Sequence, residues 1–279
     1  MPNEAKDMSS TEGDIIFMGS IPKLYESYLV PMIFAPYAAD LASRISGRPL
    51  SRVLEIAAGT GVVTRELARI LSASVAIVAT DLNEAMLEQA REIGTSRPVE
   101  WRQADAMNLP FPDGMFDAVI CQFGAMFFPD KAKAFSEAHR VLRSGGIFVF
   151  NVWDRIEENQ FVDTVTTALE KLFPDDPPRF HARVPHGYYS RSIIEQDLAA
   201  GGFTAPPDFT TLTARSQART PGIPAMGYCQ GTPLRNEIEE RDPSLLGEAT
   251  VVALNAIRER FGTTNISGKL QAHIVTVQK

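Results

Sequence analysis

Cysteine is almost missing: Cys121 and Cys229 are the only two in 279 residues, far apart and outside any CxxC or Cys/His spacing. That excludes a disulfide framework and a structural zinc site and leaves two buried or incidental thiols. Long hydrophobic runs are missing as well. No apolar stretch approaches the ~20 residues that cross a bilayer, and the opening MPNEAKDMSSTEGD is polar and acidic, unlike a secretory leader. The expectation is a cytoplasmic protein without stable membrane insertion. Lys/Arg clusters are also absent and the net charge is −7, so the electrostatic footprint of phosphate-backbone binding is lacking and no nucleic-acid partner is expected. No grouping of His, Asp and Glu has metal-ligand spacing, which excludes metal-dependent catechol-type chemistry as the expected mode. What is present is ordinary globular composition, 44% hydrophobic and 22% charged, enough to bury a full core.

Residues 1–14 carry no apolar periodicity and are expected to be mobile. From Ile21 to Ile45, apolar and aromatic residues fall at helical spacing but are interrupted by Pro31 and Pro36, which predicts short, broken helices. Between Ser51 and Trp153, β-rich runs alternate with helical patterns. Strands are predicted over 52–57, 75–80, 99–103, 116–122 and 147–152, with helices between them. The run from Phe116 to Gln122 is nearly all apolar, as a strand buried on both faces should be. The helix over 131–142 is expected to stop at Ser144-Gly145-Gly146 in a left-handed cap. Such repeated β–α–β units give a parallel sheet with helices on both faces. Beyond Asp154 the pattern loosens: helices over 159–173 and 190–200, a strand over 209–216, a largely helical stretch over 221–261 and a last strand over 272–277. The expected organisation is a mobile 1–14 followed by a single domain, 15–279. It comprises a helical segment 15–48, a core 50–154, and an insert 217–265 placed over the sheet's ligand edge.

In an open parallel sheet, ligands sit beyond the carboxyl ends of the strands, so residues just after each strand carry the information. After the first strand come Ala57-Ala58-Gly59-Thr60-Gly61, small enough to let a ligand approach the backbone and the N–H groups of the next helix. Asp81 ends the second strand twenty residues after Gly61, where a carboxylate can accept both hydroxyls of a ribose. The pair implies an adenosine-type ligand. A dinucleotide fingerprint needs a third glycine at position 64, which holds Thr64. Glu55, inside the first strand, can organise the glycine loop and lie near a cationic ligand, but would oppose a pyrophosphate. Asp105-Ala106 after the third strand offers a carboxylate for an adenine amino group beside a small residue. Gln122-Phe123 after the fourth supplies a backbone carbonyl and an aromatic wall.

These segments, VLEIAAGTG (53–61), VATDLNEAMLEQARE (78–92), QADAMNLPFPDGMFDAVICQFGAMFFPDK (103–131) and EAHRVLRSGGIFVFNVW (137–153), resemble the class I S-adenosylmethionine-dependent methyltransferases. The similarity is to the small-molecule subgroup related to the ubiquinone/menaquinone-biosynthesis enzymes, and it spans 50–154. The resemblance implies a doubly wound α/β fold, a seven-stranded, mostly parallel Rossmann-like sheet with a helical N-terminal lid and a helical insert before the last strand. It implies S-adenosylmethionine as cofactor, S-adenosylhomocysteine as product and no metal, with a small-molecule methyl acceptor. By the same resemblance Glu55, Gly59 and Gly61 surround the methionine part, Asp81 holds the ribose, Leu82 and Met86 flank the adenine, and Asp105 and Ala106 meet its edge. Gln122 meets the methionine amino group through its carbonyl, with Phe123 beside it. Ala57 stands where the family more often has glycine.

Tyr25 and Tyr28 read either as core residues or as lid residues touching the acceptor and the cofactor respectively. Phe127 and Phe128 read as core or as substrate wall. For a general base the candidates are His186, Tyr188 and Tyr189, with His181 nearby, in a loop of the kind that reaches an active edge; packing roles compete for each. The reading is methyl transfer to O, N or C of a small organic acceptor by in-line displacement. An NAD(P)-dependent oxidoreductase and a non-catalytic S-adenosylmethionine-binding protein are the alternatives. The oligomeric state is not legible.

Overall fold

The computed structural model describes residues 12–279. The β-rich runs become β1 (Arg52–Glu55), β2 (Ala76–Asp81), β3 (Glu100–Gln103), β4 (Phe116–Gln122) and β5 (Leu142–Trp153), and β6 (Asp208–Ala218) and β7 (Ile266–Gln278) follow. The helices are α1 (Ile21–Leu24), α2 (Ala35–Ile45), α3 (Val62–Ile70), α4 (Glu84–Ile93), α5 (Lys131–Val141), α6 (Gln160–Leu172), α7 (Phe180–Arg183), α8 (Arg191–Ala200), α9 (Gly222–Gln230), α10 (Leu234–Arg241) and α11 (Leu246–Phe261). Among the described residues the strands form one sheet of seven, in the order β3-β2-β1-β4-β5-β7-β6.

Strands β1 to β5 pair in parallel. β7 runs against β5: Gly145 N–H donates to Lys279 O while Asp154 N–H donates to Gln271 O, partners that descend as β5 ascends. The seven-stranded, mostly parallel α/β sheet is therefore the predicted one. Every residue of β4, at its centre, is buried, whereas the edge strand β3 is largely exposed. That contrast is why β4 could be read as a continuous apolar run.

The chain groups into two compact units. The sheet unit comprises 35–152, 188–212 and 272–279. Phe135, Phe148 and Phe150 meet in its core at ring-centroid distances of 4.8–5.6 Å. The second unit comprises the described part of 1–34 with 153–187 and 213–271, so it takes in the whole 217–265 insert and only part of the expected lid.

Three local expectations are corrected. Residues 1–11 of the segment expected to be mobile lie outside the described residues, but Glu12–Ile15 form a 3-10 turn. There the buried Asp14 carboxylate takes two 2.6 Å bonds from Arg183, which also donates to Glu237. The stretch 21–45 is not broken by its prolines: α1 runs into a π-helical segment, Tyr25–Phe34, that holds Pro31, and then into α2 with Pro36 in its first turn. Gly145 and Gly146 do not cap α5, which ends at Val141 against an extended Leu142. They lie inside β5, where the β4/β5 register shifts and Gly145 has φ +74°.

Candidate functional site

The strand order places the topological switch between β1 and β4: from β1 the chain proceeds outward to β2 and β3, then returns to the other side of β1. Connections diverge at that point, and the crevice beyond the carboxyl ends of β1 and β4 is where such sheets bind ligands. The loop after β1 is stitched between the strands on either side: Ile56 N–H donates to Ile120 O and Ala58 N–H to Thr80 O, both at 2.9 Å. Its bends use left-handed backbone at Ala57 (φ +53°), Gly59 (φ +57°) and Gly61 (φ +82°). Gly61 is required on two counts, since a Cβ there would also lie 2.8 Å from the Trp101 ring.

Two carboxylates are buried at this crevice. Asp81 accepts from Gly59 N–H through Oδ2 and from Asn83 N–H through Oδ1, each at 2.8 Å, which locks the loop after β1 to the end of β2. Glu55, 1% exposed, accepts a 2.5 Å bond from the Thr64 hydroxyl. Burial raises the pKa of both, Glu55 to about 8, with Thr64 and the Arg65 charge opposing the rise; for Asp81 the backbone N–H groups of Asn83 and Gly59 oppose it. Among the described residues neither carboxylate forms an ion pair. The position that lacks the third glycine is thus occupied by the hydroxyl that holds Glu55.

Around the ends of β2 and β3, Leu82 is 45% exposed, Met86 and Ala106 are buried, and Asp105 Oδ1 accepts from Met107 N–H at 2.8 Å. After β4, Gln122, Phe123 and Phe128 are buried and Phe127 half-buried. Phe123 has φ +50°, and its ring meets that of Tyr37 edge-on at 5.3 Å. Gly124 lies against the loop after β1: a Cβ there would come within 2.4 Å of Ala57 Cβ. The sheet unit therefore brings together eleven of the expected cofactor residues. Sequence reasoning missed Thr64 as a partner of Glu55, and Tyr37, Gly124 and Asn151 altogether. The local signal for the last three was weak, because each acts through a contact with a residue distant in sequence.

The base candidates separate. Tyr188 donates its hydroxyl to Asp197 Oδ2 at 2.7 Å, and burial pushes the phenol well above its ordinary range, so it is suited to hold its proton rather than exchange it. Tyr189 is exposed. His186 belongs to the second unit. There Nδ1 lies 2.7 Å from Asp154 O, and a carbonyl only accepts, so the proton is on Nδ1. Burial pulls its pKa down to about 4 and that of His181 to about 3. Tyr25 and Tyr28 are half-buried in the second unit, Tyr25 stacked on Phe34. Both cysteines are free and buried, their thiols pushed up to about 12. Among the described residues no group of three His, Cys, Asp or Glu could hold a metal ion, and no helix is long and apolar enough to cross a membrane.

Residues 54–150 match the family described as "Methyltransferase domain". Together with the sheet order, this makes the chain similar, over that segment, to a class I S-adenosylmethionine-dependent methyltransferase. In particular it is similar to the ubiquinone/menaquinone biosynthesis C-methyltransferase UbiE of Escherichia coli O139:H28, 42% identical over 174 residues, 59% of this chain and 64% of that protein. The chain thus matches just under two thirds of that relative's length. Among solved structures, the YcgJ protein of Bacillus subtilis aligns with a TM-score of 0.56 at 21% identity, covering 88% of this chain and 98% of that one. Phosphoethanolamine N-methyltransferase 2 of Haemonchus contortus, in complex with S-adenosyl-L-methionine, aligns with a TM-score of 0.57 at 16% identity, covering 92% and 56%. These two likenesses show the fold.

Proposed function

We propose that this chain transfers the methyl group of S-adenosylmethionine to a small organic acceptor. The observation that carries the reading is the pair of buried carboxylates at the topological switch, held by backbone N–H groups and a hydroxyl and forming no ion pair among the described residues. Their chemistry fits a cofactor with a cationic methionine end and a ribose, and disfavours a pyrophosphate. When bound, S-adenosylmethionine supplies an electrophilic methyl on a sulfonium. Asp81, already aimed by Gly59 and Asn83, keeps a lone pair on each oxygen for the ribose hydroxyls. Glu55, once ionised, offers negative charge to the cationic end. Leu82, apolar and exposed directly after Asp81, suits an adenine face, with Met86 opposite and Asp105 and Ala106 at its edge. The carbonyl of Gln122 and the loop Ala57–Gly61 serve the methionine part. Phe127 and Phe128 form an apolar wall that favours an apolar or aromatic acceptor, where exclusion of water and alignment for in-line displacement supply much of the acceleration, on the order of 7–11 kcal/mol in well-oriented systems.

Titration calorimetry tests the reading. S-adenosylhomocysteine is expected to bind the wild-type chain and NADH not to. Asp81→Ala is expected to weaken S-adenosylhomocysteine by about a hundredfold, from loss of two charged hydrogen bonds. Unchanged affinity in Asp81→Ala, or binding of NADH in place of S-adenosylhomocysteine, overturns it.

A further inference from the structure

Phe123 is a bulky residue in the left-handed region, φ +50°, a conformation that costs roughly 1–3 kcal/mol and persists only where the surroundings enforce it. The enforcing group is Asn151 on β5. It pairs with Gln122 in the last register of β4 and β5 and is completely buried. Its Oδ1 accepts from Phe123 N–H at 2.8 Å, and its own carbonyl shares that N–H at 3.3 Å. The amide oxygen thereby takes the N–H of the turn just as the chain leaves the sheet. The next residue, Gly124, has no slack, because a Cβ there would meet Ala57 Cβ at 2.4 Å and Cys121 Sγ at 2.8 Å. Ala57 is itself left-handed, φ +53°. The turns after β1 and β4 are therefore two non-glycine bends with positive φ, in contact where Gly124 lies against Ala57 at the switch point. Among the described residues the Asn151 Nδ2 has no hydrogen-bond partner. That unmade donor costs about 1–3 kcal/mol, so the hydrogen bond that the Asn151 side chain does make is the one from Phe123 N–H.

We infer that Asn151 is a positioning residue for the cofactor crevice: its amide oxygen holds Phe123 in the left-handed turn that shapes the crevice wall after β4. The inference rests on the function proposed above. It predicts a specific coupling, because glycine takes positive φ without enforcement. Once residue 123 is glycine, the crevice no longer needs the amide.

The test is a double-mutant cycle on S-adenosylhomocysteine affinity, measured by calorimetry. Asn151→Leu, similar in size and without the acceptor, is expected to weaken binding about tenfold when residue 123 is phenylalanine, and less than about threefold in the Phe123→Gly background. Asn151→Asp, which keeps an oxygen in the same place, is expected to stay within about threefold of wild type; it also serves if Asn151→Leu does not fold. Equal losses in the two backgrounds, no loss in Asn151→Leu, or a loss in Asn151→Asp as large as that expected of Asn151→Leu, each overturns the inference. If the wild-type chain itself does not bind S-adenosylhomocysteine, it is the proposed function that fails; binding without the coupling sinks the positioning role alone.

Discussion

At the scale of single residues, the informative one is Glu55. A carboxyl group inside a strand was legible as unusual from its place in VLEIAAGTG, and so was its preference for a cation. Its state was not legible, because that depends on enclosure by other strands and on Thr64, nine residues away on the next helix. With the folded pKa raised to about 8 from an ordinary 4.5, the folded chain holds a proton that the unfolded chain has released across that interval. The stability this group contributes is complete at low pH and is lost as pH rises toward about 8, at up to about 1.4 kcal/mol per pH unit. Asp81 shifts in the same direction. Glu55→Gln removes only the first contribution, so the ligand-free wild type is expected to lose more stability than the variant between pH 5 and pH 8 in urea titrations. Parallel pH profiles would show that Glu55 is ionised in the folded protein. The same proton should leave when the α-ammonium of a ligand is bound beside Glu55, so S-adenosylhomocysteine binding near pH 7 is expected to have a heat that varies with the ionisation heat of the buffer.

Among the elements, those whose apolar period is strong were legible: β4, which is buried throughout, and the helix α6 fall within a few residues of their predicted bounds. The misreadings occur where proline and glycine play other parts than their usual ones. Gly145 and Gly146 looked like a helix cap but serve the irregular start of β5, because the pairing with Lys279 that needs them is more than a hundred residues distant. Pro31 looked like a helix breaker but sits inside the π-helical Tyr25–Phe34. That winding has a measurable consequence. Tyr25 and Phe34 are nine residues apart, two and a half turns of an α-helix, which would set them on opposite faces. With i→i+5 winding nine residues make about two turns, and the rings stack at 4.9 Å. A double-mutant cycle with Tyr25→Leu and Phe34→Leu is therefore expected to give a coupling of about 1 kcal/mol in stability. Strict additivity would mean that the segment winds as an α-helix in solution.

For the molecule as a whole, the alternation of strands and helices announced a parallel sheet and the order of polar residues at its strand ends announced the crevice. The division into two compact units was not announced. Periodicity reports that a residue is buried and says nothing of which partner buries it, and here each unit is assembled from three separated stretches. The chain passes between the units after residues 34, 152, 187, 212 and 271. Three of those passages fall within β5, β6 and β7, so no single peptide cut frees either unit and unfolding one disrupts strands that continue into the other. Thermal unfolding is accordingly expected to be one calorimetric transition rather than two. Excess S-adenosylhomocysteine, whose proposed residues nearly all belong to the sheet unit, should raise that transition as a whole. At a hundred times its dissociation constant the stabilisation is about 2.7 kcal/mol, which for a chain of this size corresponds to a rise of roughly 5–10 °C. Scanning calorimetry with and without the ligand checks this: two transitions, of which the ligand moves only one, would mean that the second unit folds on its own account and that the shared strands do not couple it to the crevice.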